Sequence, residues 1–359
     1  MPDAPPAAAG FVMPPEWADH DRCWMAWPVG AGNWGARLEA ARDAYAEVAR
    51  TIARYEPVTM LAAPAELADV SLRCGDTVET MMTDYGEPWL RDFGPTFLVG
   101  PDGALGAVDW MFNGWGGRVA ETAADKAAAR LVMERTGAAR FAAPIVLEGG
   151  AIHVNGAGTL LTSESVVLNP NRNPGLDAAG AAAVFRAYLG IDEVLWLGAG
   201  YEQDVTDGHV DNLACFAGEN RILAIDCDDA DDPNFAVFRD NLARLRGATD
   251  TSGRVFDVVT LPQPARREHN GQRMILSYLN FYLAGAGDTK AVIMPAFDDP
   301  MDDEANDIVA AAFPDRMVEQ IPALDIVAGG GGIHCITQQQ PRVTAADAAG
   351  TTDDEDRKG

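Results

Sequence analysis

Positive charge is what this chain has least of. Its 27 lysines and arginines stand against 54 aspartates and glutamates, a formal net charge of −27 at pH 7 over 359 residues. A field of that sign repels phosphate backbones and anionic headgroups, which excludes nucleic acid and membrane surfaces as partners and favours small cations. No uninterrupted apolar run reaches the roughly 18 residues a spanning helix needs, and no basic flank leads into an apolar core at the N-terminus. Cysteine is also sparse. Cys23, Cys74, Cys215, Cys227 and Cys335 are odd in number and far apart, with no C-x-x-C pair, so neither a disulfide framework nor a zinc or redox couple is expected. Free thiols and the missing leader together predict a cytoplasmic protein. Phosphate-binding fingerprints are missing too: the glycine run at 329–332 precedes no helix signal, and G-x-S-x-G does not occur.

What is present is enough apolar side chain, 48 % of the residues, for a chain of this length to bury about three quarters of its unfolded surface. No Gly/Ser-rich linker divides it. The compositions of 1–10 and 344–359 predict disordered ends around a single domain spanning 11–343. Helical patterns at Leu38–Tyr55, Asp125–Arg135 and Ala178–Leu189 alternate with extended ones at Val58–Ala62, Ile152–Leu161 and Ile222–Ile225, an α/β arrangement. A short internal echo joins G-G-A-I-H-V at 149–154 to G-G-G-I-H-C at 330–335, as repeated supersecondary units around a common centre would produce. The acidic run Asp226–Asp232, followed by Pro233, has the character of a solvated turn.

Few residues combine reactivity with access. Cys335 follows four glycines and lies in an extended I-H-C-I-T run that would hold its thiol at a strand end. It is either an accessible nucleophile or a small buried hydrophobe. A thiol with a free pKa of about 8.5 needs a base or a cationic neighbour to react at neutral pH. His209 sits in D-G-H-V-D-N; if that segment is a strand, His209 and Asp211 share one face. Asp92 stands between aromatics in W-L-R-D-F-G-P, and Glu148 ends an apolar run beside two glycines. Each of these has an ordinary alternative as a turn, cap or hydrogen-bonding group. As a set they hold more carboxylates than cations, which suits a planar cation such as guanidinium and opposes an oxyanion substrate.

The segments carrying these residues, MPPEWADHDRCWMAWP (13–28), WLRDFGPTF (89–97), DWMFNGWGG (109–117), LEGGAIHVNGAGTLLTSE (147–164), LNPNRNPG (168–175), DGHVDNLACF (207–216), SYLNFYLA (277–284), VIMPAFDDPMDDEA (292–305) and GGGGIHCITQQQP (329–341), resemble in sequence and order the agmatine deiminases, within the wider group of guanidine-modifying enzymes. The resemblance implies the α/β pentein fold, a five-bladed propeller of ββαβ-like units around a central active-site channel. It implies hydrolysis of agmatine to N-carbamoylputrescine and ammonia through an amidino-cysteine intermediate, without a metal or organic cofactor. Cys335 would be the nucleophile, His209 the general acid and base, and Glu148 the group that orients His209. Asp92 and Asp211 would grip the guanidinium, Asp204 would contact substrate, and Trp89 and Trp115 would supply aromatic walls. Trp110 is a further candidate wall. A small guanidino substrate and a homodimer or higher assembly follow from the same likeness.

Free arginine or a peptidyl-arginine is the alternative substrate, with Arg118 and Arg172 as candidate anchors for the carboxylate of arginine; a non-catalytic guanidine- or polyamine-binding protein is the alternative class. Three places depart from the family pattern: Gly332, where asparagine is common, the segment 83–92 before the W-x-R-D motif, and the stretch 266–274.

Overall fold

In the computed structural model, which describes residues 4–343 apart from Ala31 and Glu121, one pattern recurs five times: two antiparallel strands, then a helix, then a third strand parallel to the second. Thr96–Val99 and Leu105–Met111 pair antiparallel, the helix Ala123–Thr136 crosses over, and Ala139–Val146 returns parallel. Ile152–Val154, Thr159–Ser163, the helix Ala178–Leu189 and Glu193–Leu197 repeat it. So do Ala214–Phe216, Arg221–Asp226, the helix Phe235–Gly247 and Asp257–Pro262. The fourth unit is Tyr282–Ala286, Thr289–Ala296, the helix Asp302–Ala312 and Met317–Pro322. The fifth closes the chain on itself: Thr337–Pro341 pairs with His20–Ala26, the helix Leu38–Ile52 follows, and Val58–Ala62 and Val78–Met82 complete a four-stranded sheet.

The middle strands have core on both sides, which is why they are almost continuously apolar rather than alternating; every residue of Val58–Ala62 and Thr159–Ser163 is buried. Helix Leu38–Ile52 turns Ala41, Ala44, Tyr45, Val48, Ala49 and Ile52 inward at helical spacing. Helix Ala178–Leu189 starts where the Asp177 carboxylate accepts from the Gly180 amide at 2.8 Å and stops at Gly190, whose φ of 70° only a residue without a Cβ takes up freely. Two apolar clusters result. The larger holds Trp24, Trp27, Trp34 and Tyr278, and the smaller gathers Phe11, Phe141 and Phe185 around the first two of these units. No helix of the described residues is long and apolar enough to cross a membrane.

Three expectations about local backbone need correction. The extended run Ile152–Leu161 is a hairpin, broken at 155–158 because the Asn155 side-chain oxygen accepts from the Ala157 and Thr159 amides, both at 2.9 Å. Residues 207–212 are not a strand; Val210–Asn212 forms a 3-10 turn. Of the expected disordered start, Pro6–Ala9 is a 3-10 turn with Pro6 buried, and Phe11 donates back to the Pro6 carbonyl. Residues 1–3 and the tail 344–359 lie outside the described residues.

Candidate active site

In every unit the loop leading into the first strand carries one or two chemically capable side chains. Asp92 precedes Thr96–Val99, Glu148 precedes Ile152–Val154, and His209 and Asp211 precede Ala214–Phe216. Asn280 precedes Tyr282–Ala286, and Cys335 lies in a turn just before the strand Thr337–Pro341 rather than within it. All six side chains are buried, and His209 and Glu148 are fully so.

Their centre is marked by Gly150. A Cβ built there would lie 2.6 Å from His209 Nδ1 and 2.9 Å from both Asp211 Oδ2 and Asp92 Oδ1, so three polar groups crowd one point that only a hydrogen can share. His209 Nδ1 is 3.6 Å from Asp92 Oδ1 and its Nε2 is 3.5 Å from Glu148 Oε2, ion-pair distances at which neither nitrogen completes a hydrogen bond to a described residue. Asp92 is held by Trp115, whose indole donates to Oδ2 at 2.8 Å, and by the Gly150 amide, which donates to Oδ1 at 3.2 Å. To make its bond Trp115 adopts φ 53° and ψ 53°, a left-handed conformation that costs a side-chain-bearing residue about 1–2 kcal/mol. Glu148 accepts from Arg172 Nε at 3.2 Å, and the same guanidinium donates to the Thr206 carbonyl at 3.0 Å, tying the Glu148 loop to the His209 loop.

Cys335 lies between Asp211 and Asn280. Its thiol donates to Asp211 Oδ2 at 3.6 Å, while Asn280 Nδ2 donates to the sulfur at 3.3 Å and Asn280 Oδ1 accepts from the His334 amide at 2.9 Å. The absent side chain at Gly332 is part of this fit: a Cβ there would come within 2.3 Å of Asn280 Oδ1. Behind Asp211 stands a second buried chain of ionisable groups. His334 Nδ1 is 2.9 Å from Asp211 Oδ2, and its Nε2 is 2.9 Å from Glu16 Oε1, which Arg91 and His153 also face at 3.5 Å.

Burial works against the imidazolium of His209, yet the charges of Asp92, Glu148 and Asp211 outweigh it and lift the pKa from 6.5 to about 9. Burial lifts Asp92 to about 6, a rise that the His209 charge opposes and that Asp211 and Glu148 reinforce. The Cys335 thiol is pushed well above its ordinary value, first by burial and then by the charges of Asp211 and Asp92. At neutral pH the site therefore holds a cationic His209, an ionised Asp92 and a protonated Cys335.

A cavity of about 400 Å³ reaches this cluster through Cys335 and Asp92, with Trp115 and Trp89 lining it beside them. Trp89 stacks on Trp34 at 5.5 Å and also lies against Gly331, where a Cβ would meet the ring at 2.7 Å and Cys335 Cβ at 3.0 Å. Asp204 does not line it. Both of its carboxylate oxygens accept from the Thr206 hydroxyl at 2.8 Å, and that hydroxyl in turn accepts from the His209 amide, so Asp204 shapes the His209 turn instead. Trp110 is also elsewhere, its indole donating to Thr96. Asn280, His334 and Glu16 are buried groups of this cluster that the sequence motifs did not mark as chemistry, the position of Asn280 before the first strand of its unit being the signal that finds it; Arg172, expected as a carboxylate anchor, braces Glu148 instead.

Residues 12–341 match the model of the Porphyromonas-type peptidyl-arginine deiminase family. An agmatine deiminase of Stutzerimonas stutzeri is 40 % identical over 366 residues, covering 94 % of this chain and 97 % of that one. One from Pseudomonas aeruginosa is 38 % identical over 364, covering 95 % and 98 %. Among solved structures, the agmatine deiminase of Enterococcus faecalis superimposes with a TM-score of 0.91 at 30 % identity, over 95 % of this chain and 99 % of that chain. The architecture is the pentein fold.

Proposed function

The chain belongs to the Porphyromonas-type peptidyl-arginine deiminase family, and from that membership we propose that it is a hydrolase that converts agmatine to N-carbamoylputrescine and ammonia. The observation that carries the proposal is the convergence of Asp92, Asp211 and His209 on Gly150, with the Cys335 thiol against Asp211. Two carboxylates facing one point suit a guanidinium, whose N–H groups they accept in pairs.

In this reading Asp92 and Asp211 take the guanidinium nitrogens and hold the central carbon over Cys335. The bound cation cancels the two charges that keep the thiol protonated, so the thiol loses its proton as substrate arrives. Sγ bonds to the guanidinium carbon, one C–N bond breaks, and the His209 imidazolium gives its proton to the departing nitrogen. The neutral imidazole, steadied by Glu148, then takes a proton from water as the oxygen adds to the amidino carbon. The C–S bond breaks, the thiolate recovers a proton from the product, and the proton first lost from the thiol ends on ammonia as ammonium.

The test is ammonia release from agmatine, free arginine and a blocked arginine peptide, with Cys335→Ala beside the wild type. Turnover of agmatine that vanishes in the variant is expected. Preference for arginine or the peptide would replace the substrate and keep the chemistry, whereas no turnover of any of the three would overturn the proposal.

A further inference from the structure

The reaction centre recognises a guanidinium but nothing in it distinguishes agmatine from arginine; that choice belongs to the outer part of the cavity. There, among the lining residues, Glu87 is the one acidic side chain besides Asp92. We propose that Glu87 is the anchor for the distal ammonium of the substrate, a specificity determinant that selects a guanidine bearing a second positive charge. The inference rests on the agmatine reading above.

Charge balance at the mouth carries the argument. Arg118 is neutralised by Asp207 at 2.9 Å, and Arg273 is held by both oxygens of Asp232 at 2.9 and 2.8 Å. His269, the remaining basic group in the lining, is hydrogen-bonded to Asn270. Arg172, the other candidate carboxylate anchor, is fully buried between Glu148 and Asp207 and does not reach the cavity. Arg118, Arg273 and Arg172, the guanidinium groups nearest to hand for the carboxylate of arginine, are thus already paired. Glu87 is the reverse case: among the described residues its carboxylate has no cationic partner, and its side-chain hydrogen bond is the one Asn33 Nδ2 donates at 3.1 Å. Half-burial, with the charge of Asp125 adding, lifts its pKa, the response of a carboxylate partly removed from water without compensation. An ammonium beside it supplies that compensation.

Placement agrees. The loop is pinned, because Tyr85 donates to the Trp27 and Leu61 carbonyls and the Gly86 and Glu87 amides both donate to Asp125 Oδ1. Glu87 is two residues from Trp89, whose ring reaches Gly331 beside Cys335. Trp89 therefore forms an apolar wall between nucleophile and Glu87, suited to a methylene chain with a charge at either end. This also gives physical content to the unusual segment 83–92: it brings the mouth its unpaired negative charge.

The experiment compares agmatine with butylguanidine, which has the same chain without the amine, in wild type and Glu87→Gln. For agmatine, kcat/KM should fall about tenfold or more, chiefly through KM, the loss expected for one charge-assisted hydrogen bond. For butylguanidine it should move less than about twofold. A second variant, Glu87→Lys, should shift preference toward arginine. If the wild type prefers agmatine to butylguanidine and that preference survives in Glu87→Gln, the assignment of Glu87 is overturned while agmatine deimination stands. If the wild type does not turn over agmatine at all, the underlying reading fails instead.

Discussion

Replacing Gly150 with alanine adds a single methyl group at the point where the site converges. The backbone does not oppose the change, since Gly150 is outside the left-handed region and alanine adopts its conformation freely. The cost is steric. A Cβ at 2.6 Å from His209 Nδ1 and 2.9 Å from Asp92 Oδ1 and Asp211 Oδ2 is nearer than the roughly 3.5 Å at which non-bonded atoms rest. Each group must withdraw by about 0.6–0.9 Å, and Asp92 withdraws in a different direction from His209 and Asp211 because it comes from a different loop. A misplacement of that size costs about a hundredfold in rate, close to 3 kcal/mol of transition-state stabilisation. Overpacking also removes about 1–3 kcal/mol of stability, a small downward shift of melting temperature in a chain this large. The assay is steady-state agmatine turnover together with a thermal melt. Activity within about twofold of wild type in the folded variant would refute the convergence of these three groups on one substrate position.

Two further outcomes follow from the same geometry. The pH profile of kcat/KM for agmatine should be bell-shaped: activity falls on acidification through about pH 6 as Asp92 takes up a proton and stops gripping a cation, and falls above about pH 9 as His209 loses the proton it must donate. A profile unchanged across both regions would contradict those assignments, and Glu148→Gln should draw the alkaline limb to lower pH by removing a charge that holds the His209 proton. Asn280→Ala removes the donor to Cys335 Sγ and the acceptor for the His334 amide, so kcat should drop about tenfold or more with KM little altered; unchanged kcat would make Asn280 a bystander.

The members of the buried cluster were more legible in the sequence than the backbone that gathers them. Cys335, His209, Asp92, Asp211 and Glu148 stood out because each was a reactive or charged residue beside glycine in apolar surroundings, a combination that packing alone rarely needs. The route by which they meet was not legible. The same-face argument for His209 and Asp211 assumed a strand, whereas a 3-10 turn sends His209 toward Asp92 and Glu148 and Asp211 toward Cys335 and His334. Spacing along the chain says nothing about such distances, because Asp92, Glu148, Cys335 and the His209–Asp211 pair are fixed by four different units through the shared core. Asp204 shows the opposite failure: a carboxylate near the histidine reads as a ligand contact until Thr206 is seen to occupy both its oxygens. Asn280 passed unnoticed because a neutral amide in an apolar run has no compositional signal.

The short echo between 149–154 and 330–335 held more than its length suggested. The first segment ends inside the first strand of its unit, Ile152–Val154, and the second just before the strand Thr337–Pro341, and both bring residues to the same centre from different directions. Gly150 and Gly331 correspond, and each is where a Cβ would collide with the site: one with His209, Asp92 and Asp211, the other with Trp89 and the carbon bearing the nucleophile. His153 and His334 correspond as well, and both face Glu16, at 3.5 and 2.9 Å. Burial alone would push Glu16 toward its neutral form, but the two histidines and Arg91 hold its pKa well below the ordinary range. The charge of Glu16 in turn supports a protonated His334, whose raised pKa keeps a donor on Asp211. A repeat that began as a structural unit thus supplies, from two of its copies, the clearance at the front of the site and, behind it, the two histidines on Glu16, one of which holds Asp211 by a hydrogen bond.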